Sequence, residues 1–459
     1  MTIPHPTTSW RQIGQNRYSR PLDALETTLN SVYSNPQHPG FPTHDMITSV
    51  RLQTFTSSSD FLQHARSAWE QMRHIHPMIA AECDGQQYSY QSPVNRQEVE
   101  EWLNRSFIVS PGHFHSPESV YNDYSKVPVS GIPVLYCFRE EHRLVLRCPH
   151  VYTDGRSTCF LLNEFLAELA RISEGQEPPR KSFGDEVRNL PLGAVDAAKI
   201  QQPTATDVSH SPVHFTGQEM KMPTLGNPLT PKPGRVQVLQ LSDCETTQIL
   251  HRGRETGLGL TALVHAALLQ ACKDMRECPS QDIHTSVTGF NLRDRCDPSL
   301  PDSVGEEAFA SRVSLWPYQV RVGDFWDTAA ALKGEYRNLA QNKDRLITES
   351  ISCLNEFLPS LLQDEPPFFA SFIGDITPLW ESSYGSLRVE EAWIALIPMT
   401  AMMYLVVQTF QGRLAVRLSY NEAYRSDKQV AEFLGRVRGE LNCHVLQRGQ
   451  TVLTNMVQS

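Results

Sequence analysis

The sequence has no long apolar run, no paired-cysteine motif and no excess of positive charge. Its most hydrophobic stretch, Ala392 to Val407, is interrupted by Pro398 and Thr400. It falls short of the roughly 20 apolar residues that a membrane helix needs, so it reads as two buried strands and a break. The first twenty residues carry no apolar segment of the signal-peptide kind, and a cytoplasmic protein is expected. Ten cysteines are spread thinly with no C-x-x-C among them, a pattern of reduced thiols, and Cys148 and Cys159 fall within apolar runs as small buried hydrophobes. The formal charge of -10, from 41 Lys+Arg against 51 Asp+Glu, leaves no electrostatic footprint for nucleic acid or an anionic membrane. A phosphate loop, a dinucleotide fingerprint, a nucleophile elbow and an H-E-x-x-H zinc motif are all missing. His113 and His115 lie in a Pro/Gly/Ser loop with no cysteine nearby, so neither a metal nor a redox cofactor is expected.

What is there is a chain of 459 residues with 40% hydrophobic and 20% charged residues, enough for more than one core. Asp60 to Ile75 repeats apolar residues at helical spacing and stops at His76-Pro77. Pro133 to Pro149 reads as a β-hairpin, and Ser157 to Arg171 as an amphipathic helix with Glu164 and Glu168 opposite its apolar stripe. Between Ser173 and Gly234 prolines recur in polar sequence, which predicts a long crossover with few regular elements. Beyond it come a strand at Arg235 to Leu241, helices at Asp243 to Thr256 and Thr261 to Asp274, and a strand at Ile283 to Leu292. A helix at Phe325 to Gln341 and strands at Phe368 to Asp375 and Trp393 to Pro398 follow. The chain closes with a hairpin turning at Gln411-Gly412 and a helix at Lys428 to Leu441. The expected division is 1–175, a Pro-rich crossover at 176–234, and 235–459: two α/β halves of similar size, with mixed sheets flanked by helices.

The hairpin runs directly into His150-Val151-Tyr152-Thr153-Asp154-Gly155, an H-x-x-x-D-G string on a loop between a strand and a helix. A strand end is where an open α/β sheet presents ligand-facing groups, glycine permits a close backbone approach, and histidine suits proton transfer near neutral pH.

This string resembles the motif of the chloramphenicol-acetyltransferase-like acyltransferases, which include the plant BAHD enzymes, peptide-synthetase condensation domains and fungal trichothecene O-acetyltransferases. Asn291-Leu292-Arg293-Asp294-Arg295, continuing through Pro298, Leu300-Pro301 and Gly305, is similar to their N/D-x-R-x-R…P-x-L-P…G signature. Trp69…His76-Pro77 and the terminal hairpin and helix are similar too, and together these spans cover most of the chain in the family's order. The closest resemblance is to the fungal trichothecene branch. The plant D-F-G-W-G loop has no counterpart; Ser371-Phe372-Ile373-Gly374-Asp375 stands in its region and looks more like the S-x-x-G strand of condensation-type members.

The resemblance implies two chloramphenicol-acetyltransferase-like subdomains and an acyl transfer from a thioester to a hydroxyl or amine of a small secondary metabolite, in a channel between the halves. His150 would be the general base. Asp154 would turn away from it and pair with Arg293, or failing that Arg295, the two arginines projecting from one face of an extended segment. Gly155 and neighbouring backbone N–H groups would face the oxyanion. Ser371, Thr400 and Asn291 are substrate-side candidates, as are Tyr152 and Thr153; Trp380, Tyr384 and Trp393 are the candidates for an apolar acceptor pocket. The co-substrate would be acyl-CoA or an acyl-carrier-protein thioester, with no bound cofactor, and the partners a small-molecule acceptor and, in the second case, the carrier protein. Three other readings stay open: a free-standing condensation-like enzyme releasing or cyclising a carrier-bound chain, a repurposed fold guiding a cyclisation without acyl transfer, and a non-catalytic binding protein.

Overall fold

The computed structural model describes residues 9–34, 43, 45–53, 60–109, 120, 131–176, 182–200, 218–226, 228, 230–350 and 366–446. The chain forms two compact units. The first takes Met1–Gln201, Asn291–Ser314 and Ile376–Ile397; the second takes Gln202–Phe290, Leu315–Asp375 and Pro398–Ser459. The units are therefore not the contiguous spans expected, because two segments from the later half of the sequence are built into the first.

The centre of the first unit is a five-stranded sheet in the order Arg388–Ile397, Asp45–Gln53, Arg143–Pro149, Val134–Phe138, Phe107–Val109. All neighbours are antiparallel except the last pair. Every residue of Val134–Phe138 and Arg143–Pro149 is buried, as expected for strands covered on both faces. Two arginines enter that interior and are paired there. Arg147 reaches Asp45 (Nε to Oδ2, 2.7 Å) and the Val120 carbonyl (2.9 Å), while Arg143 donates to Ser49 Oγ and to Glu391. The helices Phe61–Ile75 and Gly155–Ser173 pack against each other. The Trp69 ring lies between Trp102, stacked at 6.1 Å, and Phe165, edge-on at 6.3 Å. A smaller antiparallel sheet runs Arg11–Gly14, Arg17–Pro21, Gln87–Gln91, Glu82–Cys83.

The second unit holds a sheet ordered Gly234–Gln240, Arg413–Asn421, Met403–Phe410, Phe368–Asp375, with its last pair parallel. Gln411 (φ 47°) and Gly412 (φ 79°) both take the left-handed conformation that a tight two-residue hairpin turn requires. The helix Gly259–Met275 is buried along most of its length, packing on Phe325–Gln341 and Asp427–Leu441. A three-stranded sheet, Val313–Arg321, Gln281–Asn291, Gln218–Glu219, completes the set.

The elements expected from periodicity form within a few residues of their expected bounds, and the apolar stretch near residue 400 does break between Ile397 and Met403. The Pro-rich segment differs from a bare crossover. Residues 182–200 are knitted into the first unit: buried Glu186 accepts from Tyr90 Oη (2.9 Å) and Ser92 Oγ (2.6 Å), and the Val195 N–H donates to Asp23 (3.0 Å). Pro191 is the one proline of this stretch, and its carbonyl accepts from Trp10 Nε1 (2.8 Å), so side-chain partners hold the segment where no ladder does. His113, His115 and Cys353 lie outside the described residues. Among the described residues no helix is long and apolar enough to cross a membrane, and no cluster of His, Cys, Asp and Glu suits a metal ion.

Candidate functional site

Strand Arg143–Pro149 ends at a one-turn loop, 150–154, before the helix Gly155–Ser173. The loop is tied by its own backbone: the Tyr152 N–H donates to the Pro149 carbonyl (3.1 Å) and the Thr153 N–H to that of His150 (3.3 Å). His150 is half-buried, and its Nδ1 lies 2.7 Å from the Thr153 carbonyl. A carbonyl can only accept, so Nδ1 carries the proton; in the neutral ring Nε2 then holds the free lone pair. The loop thus fixes both the tautomer and the direction of the imidazole.

Asp154 is the N-cap of the following helix. Its Oδ1 accepts from the N–H groups of Arg156 and Ser157, both at 3.0 Å. The same buried carboxylate takes both oxygens to Arg293 Nη2 (2.9 and 3.0 Å), and Oδ2 accepts the main-chain N–H of Arg312 at 2.7 Å. Burial pushes this carboxyl up; the Arg293 guanidinium and the N–H donors more than offset it and hold it below its ordinary value. Asp154 is therefore a charged keystone whose bonds run to the helix start and the two arginines.

Arg293 and Arg295 occur in a 3-10 turn, not in the extended segment expected. Arg293 is buried and faces Asp154, with Asn291 Oδ1 accepting from its N–H (3.3 Å) and from Nη1 (3.2 Å); Arg295 is half-buried. Asn291, expected on the substrate side, thus aligns the arginine. Arg312 was not foreseen. It is fully buried, and its guanidinium is met by main-chain carbonyls: Gly305 (3.2 Å), Leu192 (3.0 Å), Ser311 (3.4 Å) and Val304 (2.9 Å). The turns around Leu300-Pro301 and Gly305 fold to present those carbonyls. A second bridge comes from Ser157, whose hydroxyl donates to the Ala308 carbonyl (2.8 Å) and accepts the Ala310 N–H (3.1 Å).

The neighbours of Gly155 do not serve as spare donors, since Arg156 and Ser157 give their N–H groups to Asp154. Gly155 opens the helix. Tyr152 and Thr153 are buried inside the unit, Tyr152 packing on Tyr88 with ring centroids 5.4 Å apart. Trp393 and Trp380 are buried as well, and Tyr384 bonds through its hydroxyl to Asn163.

Within the second unit, Ser371 lines a cavity of about 360 Å³ together with Gly259, Thr261, Thr288, Lys333 and Tyr336. Gly259 (φ +80°) starts the helix Gly259–Met275, whose first turn has no side-chain cap; a side chain there would point to within 3.8 Å of Lys333 Nζ. Behind the wall, Tyr336 Oη lies 2.6 Å from Nδ1 of buried His265. Thr400 stands apart in the bend between Ile397 and Met403 and is half-buried.

No family model matches the chain. It is 26% identical over 447 residues to the acetyltransferase pigO of Monascus ruber, covering 90% of this chain and 93% of that protein. It is 24% identical over 443 residues to the O-acetyltransferase pigM of the same organism, covering 91% and 83%. Among solved structures, the trichothecene 15-O-acetyltransferase TRI3 of Fusarium sporotrichioides superposes with a TM-score of 0.75 at 13% identity, covering 94% of this chain and 96% of that one. These similarities run the length of the chain, and the shared two-unit α/β fold supports the chloramphenicol-acetyltransferase-like superfamily that its motifs resemble.

Proposed function

We propose that this protein is an acyltransferase of secondary metabolism, moving an acyl group, most simply acetyl, from acyl-CoA to a hydroxyl or amine of a small acceptor, with His150 as the base. The observation that carries the reading is the bond from His150 Nδ1–H to the Thr153 carbonyl, which leaves Nε2 as the proton acceptor. The acetyltransferase names of two relatives that match along most of their length support the reaction class.

In this reading Nε2 takes the acceptor's proton as its oxygen or nitrogen attacks the thioester carbonyl. The tetrahedral intermediate then collapses, the carbon–sulfur bond breaks, and Nε2–H returns the proton to the departing thiolate. The Thr153 carbonyl keeps its bond to Nδ1–H in both charge states of the ring, so the imidazolium is stabilised without reorienting. Asp154 acts by holding the loop, its oxygens being committed to Arg293, Arg312 and the helix start. The Gly155 N–H is the donor assigned to the oxyanion. Within the second unit by itself, Lys333, Thr261, Ser371 and the uncapped helix start line a cavity with hydrogen-bond donors suited to phosphate and amide oxygens. No resident cofactor takes part.

The test is thiol release from acetyl-CoA in the presence of a panel of simple alcohols, with mass detection of the esters. Wild type should form ester and His150→Ala none. Ester formation at an unchanged rate by the variant would overturn the role of His150. A wild type that never consumes the thioester, yet alters an unsaturated substrate, would overturn acyl transfer itself.

A further inference from the structure

Most of the carbonyls in the His150 loop and its flanks are taken from within. Pro149 and His150 accept from Tyr152 and Thr153, Thr153 accepts from the His150 ring, and Asp154 accepts from Thr158. Val151 is different: its carbonyl accepts from Tyr88 Oη at 2.7 Å, across a separation of 63 residues. Tyr88 belongs to strand Gln87–Gln91 of the small sheet, which carries no part of the H-x-x-x-D-G string. That bond holds the carbonyl side of the Val151–Tyr152 peptide plane, whose N–H is held by the Pro149 carbonyl; the plane stands between His150 and the Thr153 carbonyl its ring must meet.

Tyr88 is itself held firmly. It is fully buried, its ring packs against Tyr152, and the Arg20 guanidinium lies over it at 4.9 Å. Arg20 is fully buried too and clamped on Glu26 by two bonds of 2.7 and 2.8 Å. Burial holds the phenol well above its ordinary range, so the hydroxyl stays a neutral donor.

We propose that Tyr88 is a positioning residue for His150: its hydroxyl, acting through the Val151 carbonyl, holds the loop in the shape that gives the imidazole its Nδ1–H tautomer and its aim. The proposal rests on the reading of His150 as the base. Because Tyr88 is fully buried, removing its oxygen affects the reaction through the loop.

Tyr88→Phe deletes one atom and keeps the ring, so the fold should survive. Using acetyl-CoA and the best alcohol of the panel, kcat should fall about five- to ten-fold, the worth of one buried hydrogen bond. KM for acetyl-CoA should stay within about two-fold, as expected when only geometry at the reacting atoms is lost. Nitrogen NMR of protein labelled in histidine should show His150 as a single Nδ1–H tautomer in wild type and a mixture of tautomers in Tyr88→Phe. An unchanged kcat, a change confined to KM, or an unchanged tautomer would each overturn the proposal. If wild type shows no acyl transfer, the functional reading fails, while the NMR comparison still decides whether Tyr88 orders the imidazole.

Discussion

His150 in the first unit and His265 in the second each make a short bond through Nδ1, 2.7 Å to the Thr153 carbonyl and 2.6 Å to Tyr336 Oη. The partners differ in kind. A carbonyl can only accept, so it dictates where the proton sits; a hydroxyl can give or take, so it dictates nothing. Access differs as well. His150 is half-buried, whereas His265 is enclosed with His284 among Phe368, Phe372 and Tyr318. Burial, aided by His284, holds His265 well below the usual imidazole range, and burial brings His284 down to about 3. Glu219 lies 3.8 Å from His284 Nδ1, but its oxygens are engaged by the Thr285 N–H and hydroxyl, and burial wins. A histidine becomes a usable base through what its other nitrogen is tied to and whether solvent-borne groups can reach it.

Removing each imidazole in turn should have very different consequences. His150→Ala should lower turnover of acetyl-CoA with an alcohol at least about a hundred-fold, within the range for losing a general base. His265→Leu should leave kcat within about three-fold. Equal losses from the two variants would erase the distinction.

The support of the loop comes next in size. Asp154→Ala strands Arg293 in the interior and uncaps the helix, so urea unfolding should show a loss of about 3–5 kcal/mol. Asp154→Asn keeps an oxygen for the cap and should lose less. If Asp154→Ala were as stable as wild type, the carboxylate would not be the keystone described.

Acid stability separates the units by sign. Unfolded histidines take up protons near pH 6.5, while His265 and His284 refuse them until far lower pH; the stability of the folded chain therefore falls as pH drops from about 6.5 towards 3. Asp23 works in the opposite direction. Burial first, then Glu26, pushes it up to about 6, so the folded chain keeps a proton that the unfolded chain releases near 3.8, and stability rises as pH falls through that window. Replacing His265 by Leu and His284 by Phe should flatten the acid side of an unfolding-midpoint profile, with Asp23 cancelling in the comparison. A profile no flatter than wild type would contradict the neutral, buried assignment.

The sequence made the His150 loop legible because its chemistry is contiguous, between a hairpin and an amphipathic helix that periodicity picks out. Arg293 was legible only through resemblance, since no local pattern says which of 41 cations meets a given carboxylate. Arg312 left no trace: it reaches Asp154 through a main-chain N–H and is satisfied by carbonyls, groups that every residue offers. Tyr88 left a faint one, the alternation in Gln-Tyr-Ser-Tyr-Gln that buries Tyr88 and Tyr90, too short to stand out. The discontinuity of the units was hidden for a related reason. Strand Arg388–Ile397 pairs with Asp45–Gln53 through backbone bonds, and apolar strands do not announce their partners.

In this loop His150 carries its proton on Nδ1 and leaves Nε2 with the lone pair, and nitrogen NMR of the labelled wild-type protein near neutral pH reads both nitrogens. One protonated nitrogen at Nδ1 and an unprotonated Nε2 are expected for the signal that vanishes in His150→Ala. A proton on Nε2 instead, or an equal mixture of the two tautomers, would contradict that assignment.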